Sequence, residues 1–296
     1  MKKTIIWDFN NLALRCMFSP HVAEKSITGD KTIIDYQTWK YTVFNSIYWS
    51  LTTLNGASEV VLAVDDRSWR KIVYPVYKAN RKKKEDDPID WAELYGVMDE
   101  YISELRECTP FKIVKVQSAE ADDVIGVLAR HINKHIVIIS SDKDYKQLIN
   151  KNVQMWDPLK KEFIKCSDPN RFIVESCLQG QSKDNILNVL TPLDWDEVNP
   201  GKRKPAMGEK KIEKILDEIG LDKWLTDNRA HERFKQNKIV MDLAHTPQVI
   251  VNRTLDMYNN YSIPSLDNLM EFFARNNWRE FTENYINVER KLQELY

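Results

Sequence analysis

Residues 1–178 predict an α/β fold built on a mainly parallel sheet, and residues 179–296 a helical region that follows it. Three observations carry this. Four short apolar runs have the β-branched character of buried strands. Helical patterns lie between them, which implies crossover connections and helices on both faces of the sheet. After about Asp168 the strand signal fades, and a soft boundary falls near residue 178.

Taken in order, Thr4–Trp7 is the first strand. Trp39, Val43, Ile47 and Leu51 then recur at helical spacing. Glu59–Val64 is the second strand, followed by a helix marked by Trp91, Leu94, Met98 and Ile102. Phe111–Val116 is the third strand, and Val124, Ile125, Leu128 and Ile132 mark the helix after it. His135–Ser140 is the fourth. Beyond it, Leu190–Met207 reads as a loop, with Pro192, Pro200, Gly201 and Pro205. A last helical stretch, Trp278, Phe281, Tyr285, Val288 and Leu292, has an apolar face that predicts docking on the core.

The composition excludes more than it selects. Only 8 glycines occur in 296 residues, none in a G-x-G or G-x-x-x-x-G-K spacing. The dinucleotide fingerprint and the P-loop are therefore absent. G-x-S-x-G is absent too. With 43 basic and 44 acidic residues the net charge of −1 points to no partner, so any binding surface must come from the arrangement of charge. Cys16, Cys108, Cys166 and Cys177 form no C-x-x-C pair and read as reduced thiols of a cytoplasmic protein. No apolar run approaches the roughly 18 residues of a membrane span.

Acidic residues punctuate every predicted strand end. Asp8 follows the first strand, and Asp65 and Asp66 follow the second. The third leads to Glu120, Asp122 and Asp123, and the fourth to Asp142 and Asp144. In a parallel sheet these ends share one edge, where such folds bind their ligands. Acids near a helix start also cap amides and suit the helix dipole, which explains each group singly. Together they repel one another unless some protonate or cations sit between them. An all-oxygen donor set suits Mg²⁺ or Mn²⁺. His131 and His135 lack the H-E-x-x-H pattern and read as helix-end residues, so zinc is not expected.

A basic segment follows Asp65. Arg67, Arg70, Lys71, Lys78, Arg81, Lys82, Lys83 and Lys84 are interleaved with Trp69, Tyr74 and Tyr77. The alternatives are a solvated surface loop and a nucleic-acid contact, in which cations meet phosphates and aromatic rings meet bases.

Ile6-Trp-Asp-Phe-Asn-Asn, Ala63-Val-Asp, Tyr77-Lys-Ala-Asn-Arg, Glu120-Ala-Asp-Asp, Ser140-Ser-Asp-Lys-Asp and Gly180-Gln-Ser-Lys-Asp-Asn occur in one order. In that order they resemble the 5′-nuclease family, which includes flap endonucleases and the 5′-nuclease domain of bacterial DNA polymerase I. The likeness is strongest to the RNase H branch of T-even bacteriophages and covers nearly the whole chain. It implies a PIN-like nuclease core, 1–178, and a DNA-binding region, 179–296, with a helix–three-turn–helix-like motif. It implies metal ligation by Asp8, Asp65, Glu120, Asp122, Asp123, Asp142, Asp144 and Asp184. The first five of these except Asp123, with Asp142, would hold one Mg²⁺; Asp144 and Asp184 would hold a second. Tyr77, Lys78, Asn80 and Arg81 match a motif that in relatives lies in an arch or bridge above the active site. Lys78 and Arg81 would grip phosphate, with Arg70, Lys71, Tyr77, Lys82 and Lys83 as further nucleic-acid contacts. Gln181 stands where the family commonly has Asp. The three-turn motif matches only at Pro205-Ala-Met-Gly-Glu-Lys-Lys, where Gly208, Lys210 and Lys211 would face phosphate.

The expected activity is Mg²⁺-dependent 5′-3′ exonuclease and flap endonuclease cleavage of RNA·DNA and DNA duplexes, removing RNA primers in phage-type replication. Mn²⁺ would substitute. The chain is expected to be a monomer in the host cytoplasm, away from membranes. A single-strand-binding protein or a sliding clamp is the alternative occupant for the last helical face. Two rival readings are a non-catalytic structure-specific DNA-binding protein and a HAD-type phosphatase with Asp8 as nucleophile. The phosphatase would need a general acid at position 10, which is Asn10.

Overall fold

The computed structural model describes residues 2–25, 31–54, 56–81, 88–192 and 194–296. In chain order the elements begin β1 (Lys3–Asp8), α1 (Phe9–Met17), β2 (Ala23–Lys25), β3 (Thr32–Ile34), α2 (Tyr36–Thr53) and β4 (Ala57–Val64). They continue α3 (Arg70–Val73), α4 (Trp91–Cys108), β5 (Lys112–Lys115), α5 (Ala121–His131), β6 (His135–Ile139), β7 (Val153–Asp157), β8 (Glu162–Ile164) and α6 (Pro169–Gln179). The described residues that follow carry helices only: α7 (Trp195–Val198), α8 (Glu209–Lys214), α9 (Leu221–Asp227), α10 (His231–Met241), α11 (Gln248–Asn259), α12 (Leu269–Arg275), α13 (Arg279–Glu283) and α14 (Tyr285–Gln293).

The four expected strands are β1, β4, β5 and β6, and the three expected helices are α2, α4 and α5. Two further strands, β7 and β8, and the β2–β3 hairpin were not expected. They are three to five residues long and mix polar with apolar positions, so no local period marks them. His135 opens β6 and does not end a helix. The 190–207 stretch contains the short helix α7. The last apolar stretch is two helices, α13 and α14, with Asn284 between them.

The sheet has six strands in the order β5-β4-β1-β6-β7-β8. All neighbours are parallel except β7 and β8. The chain builds outward from β1 to β4 and β5, then returns to place β6 on the other side of β1. The gap between the C-terminal ends of β1 and β6 is thus the topological switch point. Register sets the two ends level, with Trp7 opposite Ile139.

Acidic caps start the helices that leave this sheet edge and others besides. Asp35 accepts from the amides of Gln37 and Thr38 at the head of α2, and Asp90 does the same for Ala92 and Glu93 at α4. Asp168 caps α6, with Pro169 at the first helical position.

The chain packs as two compact units: Met1–Arg67, Lys84–Lys165 and Gln248–Tyr296 form the first, Ser68–Lys83 and Cys166–Pro247 the second. This grouping differs from the sequence-order division at residue 178, because the last four helices share the core of the sheet. Phe44 of α2 meets Phe272, Phe273, Trp278 and Phe281 with ring centroids 5.0–5.9 Å apart. Trp278, Phe281, Val288 and Leu292 are all buried there, so the last helical face docks on the core as expected. Ile5, Trp7, Val60, Leu62 and Val137 point into this same layer from the strands. The alternate residues face the other side, where α5 packs on β1, β4 and β5. In the second unit Leu178, Val189, Met207, Ile212, Ile215, Trp224 and Leu225 form a separate core.

Candidate active site

The strands β1, β4 and β6 run into carboxylates at the switch edge, and those of Asp8, Asp65, Asp66 and Asp142 accept from backbone amides. Asp8 closes β1 and caps α1, its Oδ1 accepting from the Asn11 amide at 3.0 Å. Its Oδ2 accepts from the Tyr145 hydroxyl at 3.0 Å and faces Ser140 Oγ at 3.4 Å. Beyond β4, the Asp65 amide donates to Asn10 Oδ1 at 2.9 Å, and Asp65 Oδ1 accepts from the Ala121 amide at 2.7 Å. Asp66 accepts from the Ser118 amide at 2.7 Å, which ties the loops after β4 and β5 together. After β6, Asp142 caps a 3₁₀ turn at Lys143–Leu148 and accepts from the Asp144 amide at 3.0 Å. Capping and site-building are therefore one arrangement for Asp8 and Asp142.

The electrostatics show a site short of positive charge. Burial pushes the Asp8 carboxyl up to about 7, and the charges of Asp65 and Asp142 add to that push. The Asn11 amide and the Tyr145 hydroxyl oppose it without cancelling it. Tyr145 is fully buried, and its hydroxyl also donates to Asp122 Oδ1, at 2.6 Å. Among the described residues, no three His, Cys, Asp or Glu side chains stand ready-made around one point; the carboxylates turn instead to backbone amides and to this phenol. The donors are all oxygen, and burial together with their mutual repulsion raises Asp8. Both features fit a hard divalent cation.

The expected residues divide between the units. Asp8, Asp65, Glu120, Asp122, Asp123, Asp142 and Asp144 belong to the first, Asp184 to the second. Asp123 departs from the expectation. It is completely buried, and its Oδ2 accepts from the Glu120 amide at 3.0 Å in a capping box that starts α5. Its position makes it a helix-starting group.

In the second unit the Tyr77-Lys-Ala-Asn-Arg motif docks on the Gly180–Asn185 motif. The Lys78 amide donates to the Asp184 carbonyl at 2.9 Å, Asn80 Nδ2 donates to the Ser182 carbonyl at 2.9 Å, and Arg81 pairs with Asp184 at 2.5 Å. Arg81 and Asp184, expected to act on phosphate and metal, thus bind each other. Gln181 pairs its backbone with Ile186 across the same turn. Gly180 permits that turn: its φ is +69°, and a Cβ there would lie 2.6 Å from Asn188 N and Ile186 O.

Two nucleic-acid expectations are corrected by burial. Arg70 is 2% exposed, stacks 5.0 Å from the Trp69 ring centroid and donates through Nε to the Val240 carbonyl at 2.7 Å. Tyr77 is 3% exposed and packs with Tyr74, Ile186 and Val240. Neither can reach a phosphate or a base from such a position; both anchor the segment. Lys71, Lys210 and Lys211 are exposed, and Gly208 caps α8. Lys82 and Lys83 lie outside the described residues. Sequence reasoning missed Asn10, Ser140 and Tyr145. A lone tyrosine five residues past a strand reads as a core aromatic, and only the fold shows its hydroxyl between two carboxylates.

The model of the 5′-3′ exonuclease N-terminal resolvase-like domain matches residues 3–176, more than half of the chain. The chain belongs to the 5′-3′ exonuclease family. A model described as T4 RNase H, C terminal, matches residues 168–287. Ribonuclease H of Enterobacteria phage T4 is 29% identical over 259 residues, covering 83% of this chain and 85% of its own. Flap endonuclease Xni of Shewanella sp. strain MR-4 is 32% identical over 133 residues, covering 41% of this chain and 48% of that protein. The fold matches that of the bacteriophage T5 D15 protein co-crystallized with metal ions, with a TM-score of 0.60, 20% identity, and coverage of 87% of this chain and 99% of that one. The T5 D15 flap endonuclease complex with DNA and metal ions aligns at a TM-score of 0.61 and 19% identity, over 87% and 98%. Family members are metal-dependent nucleases that hydrolyse phosphodiesters, and the oxygen-only carboxylate edge is consistent with that chemistry.

Proposed function

We propose that this 5′ nuclease is Mg²⁺-dependent, cuts RNA·DNA and DNA duplexes at or near 5′ ends and flaps, and removes RNA primers during phage-type replication in the host cytoplasm. The observation that carries the reading is the convergence of Asp8, Asp65, Asp122 and Asp142 on the β1–β6 switch edge, with Asp8 raised by burial and then by the charges of Asp65 and Asp142. The likeness to phage T4 ribonuclease H along most of both chains supports the RNA·DNA substrate.

Asp8, Asp65, Glu120, Asp122 and Asp142 are the residues that would hold the principal ion, with Mn²⁺ as a substitute. When bound, such ions supply Lewis acidity toward the scissile phosphate and toward the attacking water. The chain's own part is orientation. Asn10 and the Ala121 amide fix Asp65, the Asn11 amide fixes Asp8, and the Asp142 amide donates to Ser140 Oγ at 3.1 Å. Roles for Asp144 and Asp184 in a second ion's site, and for Lys78 and Arg81 on phosphate, are read from the motifs alone. So are a monomeric state and any pairing with a single-strand-binding protein or sliding clamp.

Cleavage of 5′-end-labelled flap, nicked and RNA·DNA substrates, with and without Mg²⁺, tests the reading. Asp8→Asn should lower the rate by on the order of 10² or more, as loss of other catalytic electrostatic groups does. It should leave DNA binding intact. Cleavage that persists in EDTA, or an Asp8→Asn rate within threefold of the parent, would overturn it.

A further inference from the structure

Tyr145 sits in the 3₁₀ turn Lys143–Leu148, whose first turn is set by the Asp142 cap. Its side chain is completely buried, and its hydroxyl lies 3.0 Å from Asp8 Oδ2 and 2.6 Å from Asp122 Oδ1. A phenol carries one donor proton and meets here two carboxylates, which when ionised accept and cannot donate. The 2.6 Å contact has the length of a charge-assisted bond, while the other side-chain hydroxyl near Asp8, that of Ser140, stands off at 3.4 Å. A phenylalanine would fill the same space, so packing alone does not call for the oxygen.

We propose that the Tyr145 hydroxyl is a positioning group that ties Asp8, at the end of β1, to Asp122, in the first turn of α5, and presents the pair in a fixed orientation to a divalent cation. This rests on the metal-nuclease reading above. The two carboxylates come from different elements, and like charges would drive their side chains apart. A shared neutral donor holds them together at the cost of no extra negative charge. An ionised carboxylate offers about four lone-pair sites, so accepting the phenol does not exhaust its capacity for a cation. A phenol ordinarily ionises only at about pH 10, so its hydroxyl is a donor at neutral pH. The arrangement is that of an outer group that orients ligands, and removing such groups costs roughly 10–100-fold in metal affinity.

The test is Mn²⁺ binding, measured by calorimetry and by the electron paramagnetic resonance of free Mn²⁺, on the parent, Tyr145→Phe and Asp8→Asn. Tyr145→Phe should bind Mn²⁺ about tenfold more weakly. Its cleavage should need correspondingly more Mg²⁺, with the maximal rate recovering at saturating metal and the KM for DNA within twofold of the parent. A second variant carries 3-fluorotyrosine at position 145, which keeps the ring and the hydroxyl. Its Mn²⁺ affinity should stay within twofold of the parent, and its fluorine resonance should shift when Mg²⁺ is added. Equal Mn²⁺ affinity in the parent and Tyr145→Phe, or a fluorine resonance unmoved by Mg²⁺, would overturn the role of Tyr145 and leave the metal site standing. A parent that binds no Mn²⁺, or binds it no better than Asp8→Asn, would overturn the metal reading itself, and the role of Tyr145 with it.

Discussion

Replacing Asp8 by Asn should make the metal-free nuclease more stable while it abolishes most cleavage. The Asp8 carboxyl is raised from 3.8 to about 7, by burial first and by Asp65 and Asp142 next. An acid whose folded pKa lies above its unfolded one favours folding while protonated, and that advantage is lost as pH rises between the two values. Over a span of roughly three pH units, at about 1.36 kcal/mol each, the ionised group weakens the fold by on the order of 4 kcal/mol above pH 7. Asn has nearly the same shape and no charge. Its carbonyl can keep the Asn11 amide, its amide nitrogen can donate to the Tyr145 oxygen, and the phenol proton stays on Asp122. Urea unfolding in EDTA should therefore show the two proteins nearly equal at pH 4. The variant should lead by about 1.5 kcal/mol at pH 5 and by up to roughly 4 kcal/mol at pH 8. Adding Mg²⁺ should stabilise the parent more than the variant, because the cation supplies the missing counter-charge. Parallel stability curves for the two proteins between pH 5 and 7 would refute the account of Asp8 as a carboxylate crowded by its neighbours.

Gly180→Ala should cost on the order of 3 kcal/mol in urea unfolding, since φ is +69° and the new Cβ would lie 2.6 Å from backbone atoms of Ile186, Leu187 and Asn188. Glu59 is buried against Lys112 at 2.8 Å and Lys134 at 3.1 Å, and accepts from Tyr258 at 2.6 Å. Burial pushes its carboxyl up, but bonds from Lys112 and Tyr258 and the charges of both lysines outweigh this and hold it below its usual value. Glu59→Gln should therefore cost roughly 2–3 kcal/mol near neutral pH. The difference should shrink as pH falls below the ordinary value of 4.5 and through the lower folded value, where the parent carboxylate also protonates; a pH-independent difference would count against the ion pairs. Lys71→Ala should reduce the slope of log affinity against log salt on duplex DNA by about 0.9 if it meets a phosphate. Arg70→Ala should leave that slope unchanged and lower the melting temperature instead, because Arg70 is buried on Val240.

Much of the fold was legible because its central strands are unbroken apolar runs, and such runs declare themselves locally. The acids after β1, β4 and β6 and before α5 were legible for the same reason: once the strands are placed, parallel topology alone sends their C-terminal ends to one edge. The motif order carried the family. What the sequence by itself determined is therefore the α/β class, the carboxylate edge and the nuclease reading. Tertiary structure decided the rest, because partners distant in sequence decide it. An amphipathic helix specifies that it needs a surface and not which surface, so only packing could show α11–α14 sharing the first unit with the sheet. A basic residue carries its charge in the sequence but not its burial, so Arg70 and Tyr77 changed from contacts to anchors. Asp123 and Asp122 are neighbours in one acidic run, yet 100° of helical turn sends one into the core as a cap and the other toward Tyr145. Tyr145 itself carries no sequence signal for its role: its hydroxyl matters only because β1, α5 and the turn after β6 meet where it lies.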